Sequence, residues 1–441
     1  MKKRVVVTFV EAGQGHIVTA EAICESLEKN YPNIEVIRDW IFRADNDKTL
    51  VNHEKMLINQ VKFSNKHKGH LDFQFALMKT FTEQGTLKFV YKNVFANVYK
   101  KCIKHLEALK PDIVISTHFE PAFFGIEACK NNKNHWLNII YDPDHCVHGW
   151  WDRRCDILFT NNDLATKQAI EEKMFAESQV KQVNFLSRKQ ISEFNLTKQE
   201  CRIKHNLPQN NFTVILADGA YASANLNSFT RELLKTKKNI TIIPVCGRNE
   251  KLYQNYMSLK ERLPKNITFL PLPFMKNIEE FYCASDLFIT KAGPNAIVDS
   301  MFVHTPIMTN YYSGPIEKFT NKLFTKHYKT GLFVQDKKRA RKLVEAYIDN
   351  SKLLEKYREN TYKFNKQVNG ADEIAKTVAE ALLEPEKFKF NRHDALLEKN
   401  KLKYKKEYEE KMTRLAEKIK KAKRAEREKT LLKIFKNKKK G

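Results

Sequence analysis

Along the first 385 positions, short apolar runs are each closed by small or polar residues and followed by a stretch with helical spacing. Val5–Val10 is a β-branched apolar run. It leads through Glu11-Ala12-Gly13-Gln14-Gly15-His16 to Ala20, Ala22, Ile23 and Leu27 at helical intervals. Phe212–Ala217 opens a second segment in the same way, passing through Asp218-Gly219-Ala220 into a helical stretch around Phe229–Leu234. A strand, a small-residue turn and a helix is how a Rossmann-like half begins.

Further strands are predicted at Asp112–Ser116, Trp136–Tyr141 and Ile157–Thr160, and then at Ile240–Val245, Ile267–Leu270, Leu287–Thr290 and Pro306–Thr309. Alternating βα units predict an α/β protein of two doubly wound, Rossmann-like domains. The join falls near residues 185–210, and tandem domains commonly hold a small molecule in the cleft between them. The predicted boundaries are 1–190, 191–385 and a tail at 386–441.

Two segments break the pattern. Residues 45–100 interleave Phe63, Phe73, Phe75, Phe81, Phe89, Tyr91, Phe95 and Tyr99 with Lys and His. This insertion reads either as a lipid-facing surface or as an ordinary helix pair packed on the first domain. In the tail, Tyr404, Tyr408, Met412, Leu415 and Ile419 fall on one helical face among Lys and Glu. Residues 391–441 hold 20 Lys and Arg against 8 Asp and Glu. A basic amphipathic helix of this kind suits an anionic membrane surface, while a solvated helix and a nucleic-acid contact are the other readings.

Composition narrows the class. The 441 residues carry 78 Lys and Arg against 52 Asp and Glu, a net charge of +26, which calls for an anionic partner or surface. With 42% hydrophobic residues, a wholly disordered chain is excluded. No apolar run reaches the ~20 residues of a membrane span. The basic start and apolar run at Val5–Val10 fall short of a signal-peptide core of ~7–15 residues. Eight scattered cysteines without a C-x-x-C pair fit reduced thiols in a cytosolic protein.

Three motifs carry candidate chemistry. Gly13-Gln14-Gly15-His16 lets a backbone approach a ligand, with His16 at the turn and a helix N-terminus behind it. Asp142-Pro143-Asp144-His145-Cys146-Val147-His148-Gly149-Trp150-Trp151 follows a buried strand, where open α/β sheets place their sites. A histidine beside a carboxylate suits general-base work, and Asp144, His145 and His148 are also plausible metal ligands. Thr290-Lys291-Ala292-Gly293-Pro294-Asn295 ends a strand and starts a helix, a phosphate cradle, with Asp299 one turn on to accept from a ribose diol.

Taken in order, these stretches resemble a family, the UDP-sugar-dependent glycosyltransferases that make glycolipids. Monogalactosyldiacylglycerol synthases and processive diacylglycerol glucosyltransferases are among its members. Gly15-His16 resembles the family's first glycine loop, and Pro111-Asp112-Ile113-Val114-Ile115-Ser116-Thr117 its P-D-x-I-I-S-T strand. Asp144, His148 and Trp151 keep the spacing of T-D-x-x-x-H-x-x-W. Phe274, Asn277 and Ala284-Ser285-Asp286 follow its F-x-x-N stretch, and Thr290-Lys291-Ala292-Gly293 its T-K-x-G-G turn. The resemblance spans roughly residues 4–385. The departures are Asp299 for the usual Glu, Pro294 for the second turn glycine and Ile316 for the Gln of the sugar loop that retains Glu317.

The resemblance implies a GT-B fold with the lipid acceptor on the N-terminal domain and a UDP-sugar on the C-terminal one. It implies no metal or cofactor for donor binding. His16, Asp144 and His148 would be the catalytic group. Gly219, Phe274, Met275, Gly293, Asn295, Asp299 and Glu317 would bind the donor, and Gly13, Gly15 and Trp151 the acceptor. The expected reaction is hexose transfer from UDP-hexose to a diacylglycerol-type lipid, by an enzyme peripheral on the cytoplasmic face of the cell membrane. Its partners would be donor, lipid and anionic surface, and not nucleic acid. A lipid-linked cell-wall precursor or soluble glycan as acceptor, and a non-catalytic binding relative, are the competing readings.

Overall fold

The structure is a computed structural model, and it describes residues 2–11, 14–66, 87–131, 136–142, 151–172, 175–219, 222, 224–312, 314–364 and 368–390. Residues 1–389 form one compact unit and 390–441 a second. The predicted amphipathic tail helix lies outside the described residues, as do Phe73, Phe75 and Phe81 of the insertion.

Among the described residues of the first unit, the strands form two parallel sheets. The first lobe holds β1 (Arg4–Phe9), β2 (Glu35–Trp40), β3 (Ile113–Ser116), β4 (Leu137–Tyr141), β5 (Ile157–Thr160) and β6 (Val180–Gln182), in the order β2-β1-β3-β4-β5-β6. The second holds β7 (Phe212–Ala217), β8 (Ile240–Gly247), β9 (Ile267–Phe269), β10 (Leu272–Pro273), β11 (Leu287–Lys291), β12 (Ile307–Tyr311) and β13 (Gly331–Phe333). Its order is β10-β8-β7-β11-β12-β13, with β9 pairing β8. The central strands are mostly apolar because helices cover both faces, so β1, β3, β7 and β11 show almost no exposed side chains.

The helices that matter for the site are α1 (Gln14–Asn30), α2 (Lys48–Lys66), α3 (Ala96–Leu109), α4 (Phe119–Asn131), α5 (Ala224–Leu233), α6 (Pro294–Phe302), α7 (Pro315–Lys322) and α8 (Gly370–Leu383). The insertion splits between both of its readings. Tyr91 and Tyr99 are buried in the first lobe's core, whereas Phe63 and Phe89 are exposed.

The chain crosses from the second lobe back to the first at its last long helix. Ile374, Ala375, Val378, Ala381 and Leu382 of α8 share one face and enter the core formed by β1, β3, β4 and α1. Burying each of the large ones contributes about 1.5–3 kcal/mol. Asn369 caps α8 and exchanges hydrogen bonds with Ser187 of the inter-lobe linker, donating to its carbonyl at 3.1 Å and accepting from its N–H at 3.1 Å.

At this crossing a Cβ on Gly370 would stand 2.0 Å from the backbone oxygen of Asn184. Gly370→Ala is therefore expected to lower stability by about 3 kcal/mol, because backbone must move. At Gly293 a Cβ would meet only the Lys291 side chain, at 4.0 Å, so Gly293→Ala is expected to stay within about 0.5 kcal/mol. Urea-unfolding midpoints of the two variants check the contrast.

Candidate active site

Each sheet reverses its winding once. In the first lobe β1 leads to β2 on one side and β3 lies on the other; in the second, β7 leads to β8 and β11 lies opposite. Ligands of open α/β sheets bind beyond the carboxyl ends of the strands at such switch points. The β1/β3 point carries His16, Thr117 and His118. The β7/β11 point carries Asp218, Gly219 and Lys291–Asn295.

His16 sits in the first turn of α1 and is 5% exposed. Its Nδ1 lies 2.7 Å from the carbonyl oxygen of Thr117, and the Thr117 hydroxyl donates back to the His16 carbonyl at 3.2 Å. A carbonyl only accepts, so Nδ1 carries the proton and Nε2 keeps the lone pair. The strand end at Thr117 thus fixes both the ring and its tautomer, which is what a general base requires.

Behind His16 lies a buried polar chain that the sequence reading did not single out. His118 packs edge-on to the His16 ring, and Glu120 follows at the start of α4. The Tyr91 hydroxyl donates to Glu120 Oε1 and lies 3.0 Å from His53 Nε2. Burial and the neighbouring Glu120 carboxylate push the Tyr91 phenol well above its usual range, so it stays protonated as a donor. The only sequence signal for this set was a histidine directly after a buried strand.

Of the other expected first-lobe residues, Gly15 lies in the first turn of α1 beside His16. Trp151 is 3% exposed and packs with Ile126, Ile140 and Leu158 as a core side chain. Gly13, Asp144 and His148 lie outside the described residues.

In the second lobe, Gly293 is the N-cap of α6 and Pro294 occupies its first turn, leaving the first N–H groups of the helix without a side-chain cap. The Pro294 departure therefore strengthens a helix start. Lys291 reaches across this turn to Glu317 of α7, Nζ to Oε1 2.8 Å, and its backbone N–H donates to Asp218 Oδ1 at 2.9 Å. Gly219 adopts φ +77°, and a Cβ there would touch the Lys291 side chain at 3.7 Å. Although burial works against it, the Glu317 and Asp218 carboxylates hold the Lys291 ammonium above its usual range. A cation with small residues on both sides fits an anionic group.

Asp299 is buried on α6 and already bound, accepting from Arg188 Nη2 at 2.6 Å. Burial pushes its carboxyl up while Arg188 pulls it down, and the balance stays above the usual range. Glu279 stands 3.8 Å from the same guanidinium. The shorter Asp in place of Glu is thus matched by an arginine 111 residues earlier, which no spacing in the sequence reveals. Phe274 exposes 46% of its surface and carries the Arg248 guanidinium 5.2 Å from its ring centroid; Met275 is half-buried against the core.

The two halves meet at Asn295, whose side-chain amide donates to the Gly15 carbonyl at 3.4 Å. The N-terminal turns of α1 and α6 are therefore neighbours, one bearing His16 and the other the cradle near Lys291.

Residues 219–380 match the glycosyltransferase family 28 C-terminal domain. The chain is 24% identical over 381 residues to monogalactosyldiacylglycerol synthase 3, chloroplastic, of Arabidopsis thaliana, covering 82% of this chain and 78% of that one. It is 25% identical over 298 residues to a processive diacylglycerol beta-glucosyltransferase of Bacillus cereus, covering 66% and 74%. Among solved structures, MurG of Acinetobacter baumannii superimposes with a TM-score of 0.56 at 13% identity, over 86% of this chain and 99% of that one. The fold is GT-B, and residues 219–380 carry the glycosyltransferase domain match. The similarity to these two glycolipid synthases runs through both lobes, and they belong to the family that the motifs resemble.

Proposed function

We propose that the protein transfers a hexose from UDP-hexose to the hydroxyl of a diacylglycerol-type lipid at an anionic membrane surface. The observation that carries this reading is the junction of Gly15 and Asn295, which sets the turn bearing His16 against the turn bearing the donor cradle. The similarity to glycolipid synthases across both lobes supplies the substrate class.

In this reading His16 Nε2 takes the proton of the acceptor hydroxyl as its oxygen attacks the anomeric carbon. The bond from that carbon to the diphosphate oxygen breaks, and UDP leaves. A single displacement of this kind inverts the anomeric centre. The imidazolium formed keeps its Nδ1–H on Thr117. The uncapped N–H groups of α6 and the Lys291 ammonium stabilise the charge that develops on the departing diphosphate. Glu317 both orients Lys291 and faces the sugar. Asp299, shared with Arg188, accepts from the ribose diol, and the backbone at Phe274–Met275 meets uracil. Gly13 and Gly15 admit the acceptor, while Asp144 and His148 assist its hydroxyl. Trp151 shapes the acceptor side from within the core.

Among the described residues no helix is long and apolar enough to cross a membrane. Phe63, Phe89 and Val94, 49%, 66% and 64% exposed, border the insertion, and the last 51 residues carry a large positive excess. Apolar anchors with basic charge support docking on the inner face of the cell membrane.

The test is UDP release from UDP-glucose and UDP-galactose with vesicles of defined composition. Release is expected only when the vesicles hold diacylglycerol, and it should rise with their anionic lipid share. Equal release with a soluble glycan and no vesicles would contradict the lipid acceptor.

A further inference from the structure

The strand end that fixes His16 also carries a second imidazole, and the assigned chemistry leaves it unused. His118 is 4% exposed. Its ring stands 4.7 Å from that of His16, centroid to centroid, at 85°. The backbone N–H of Glu120 donates to His118 Nδ1 at 3.4 Å. An amide N–H cannot accept, so His118 Nδ1 holds a lone pair and its proton resides on Nε2. The two neighbouring histidines are therefore locked in opposite tautomers, His16 by a carbonyl and His118 by an amide.

The surroundings keep His118 neutral. Burial pushes its imidazolium well below the usual histidine range, and His16 beside it pushes the same way. The titratable groups that face it among the described residues are His16 and Glu120. Glu120 Oε1 is occupied by the Tyr91 hydroxyl, and its Oε2 is 3.8 Å from His118 Nδ1, beyond hydrogen-bond reach. His53 faces Tyr91, and Phe119 packs on the His118 ring at 4.4 Å.

We propose that His118 is a positioning residue for His16, a ring that stays neutral and whose edge-on contact holds the His16 imidazole with Nε2 toward the acceptor. The proposal rests on the reading of His16 as the base. A ring that rotates away from its productive angle loses rate without losing substrate, because a misplacement of about 1 Å costs about 100-fold. A neutral neighbour also does not oppose the positive charge that His16 gains as it takes the proton.

The experiment uses the full chain with vesicles and compares three variants. His118→Asn keeps an acceptor for the Glu120 amide but removes the ring. It is expected to lower kcat about 10- to 100-fold with the acceptor KM within about threefold. His118→Phe restores the ring without its nitrogens and is expected to return kcat to within about threefold of the parent. Its pH profile should match the parent's, since burial keeps His118 neutral. Nitrogen-15 spectra of histidine-labelled parent protein should show His118 neutral and protonated on Nε2 at the pH of the assay.

Wild-type kcat in His118→Asn, failure of His118→Phe to recover, or a protonated His118 at the pH of the assay would each overturn the proposal. If His118→Asn does not fold, the nitrogen-15 spectra and the His118→Phe profile decide alone. His16→Ala is the separate control. Turnover retained there removes the base itself, whatever the His118 variants do.

Discussion

Replacing His16 with alanine is expected to lower kcat about 10²- to 10⁴-fold while UDP affinity stays within about twofold. The magnitude is that of a positioned general base, and the split follows from geometry. His16 is held by Thr117 at the carboxyl end of the first sheet, and the residues facing the nucleotide belong to the second. The variant removes the ring's bond to the Thr117 carbonyl and keeps the Thr117 hydroxyl's bond to the backbone carbonyl of residue 16. A melting curve therefore accompanies the assay. Calorimetric titration with UDP together with initial rates on vesicles checks the prediction. An equal loss in kcat and UDP affinity would place His16 in donor binding instead.

The second large effect is expected at Lys291. With its ammonium removed in Lys291→Ala, the Glu317 and Asp218 carboxylates are left facing the same cradle as the diphosphate. Two effects then add, the lost attraction to the ligand and the repulsion from the Glu317 carboxylate that Lys291 had paired, and UDP binding should weaken about 100-fold. The double variant Lys291→Ala with Glu317→Gln removes one of those acids and is expected to recover part of the loss, which titration with UDP reads directly. If the double variant binds no better than the single one, the repulsion is not the cause.

The parts of the fold that were legible in the sequence are those where burial is two-sided. β5 and β7 fall within the bounds that their apolar runs mark, and β1, β3 and β4 differ only at their ends. Three strands at the sheet margins were not. β2, Glu-Val-Ile-Arg-Asp-Trp, is half polar because it lies at an edge, and β6 and β13 have three residues each and lack the apolar flanks that marked β9. Helical spacing marks α8 as a helix but says nothing about which lobe it packs against.

The site shows the same divide. His16, Gly293 and Asn295 could be read because a glycine turn after a buried strand has a local signature. The Arg188 partner of Asp299 and the Lys291–Glu317 pair join residues far apart in sequence, and charge pairing at that range has no period. His118 was passed over because it stands between a strand end and the helix that starts at Phe119, with no glycine turn to mark it. Trp151 was placed on the acceptor side by the family resemblance alone, and its indole lies in the core with Ile126 and Leu158.

The central claim is tested most directly by the product. Full-length protein is incubated with anionic vesicles containing diacylglycerol and, in parallel, with UDP-glucose or UDP-galactose labelled in the sugar. After extraction, label is predicted in the lipid fraction from at least one donor with the parent protein and from neither with His16→Ala. No label in lipid while UDP still binds, or label only in a water-soluble product, would contradict the account.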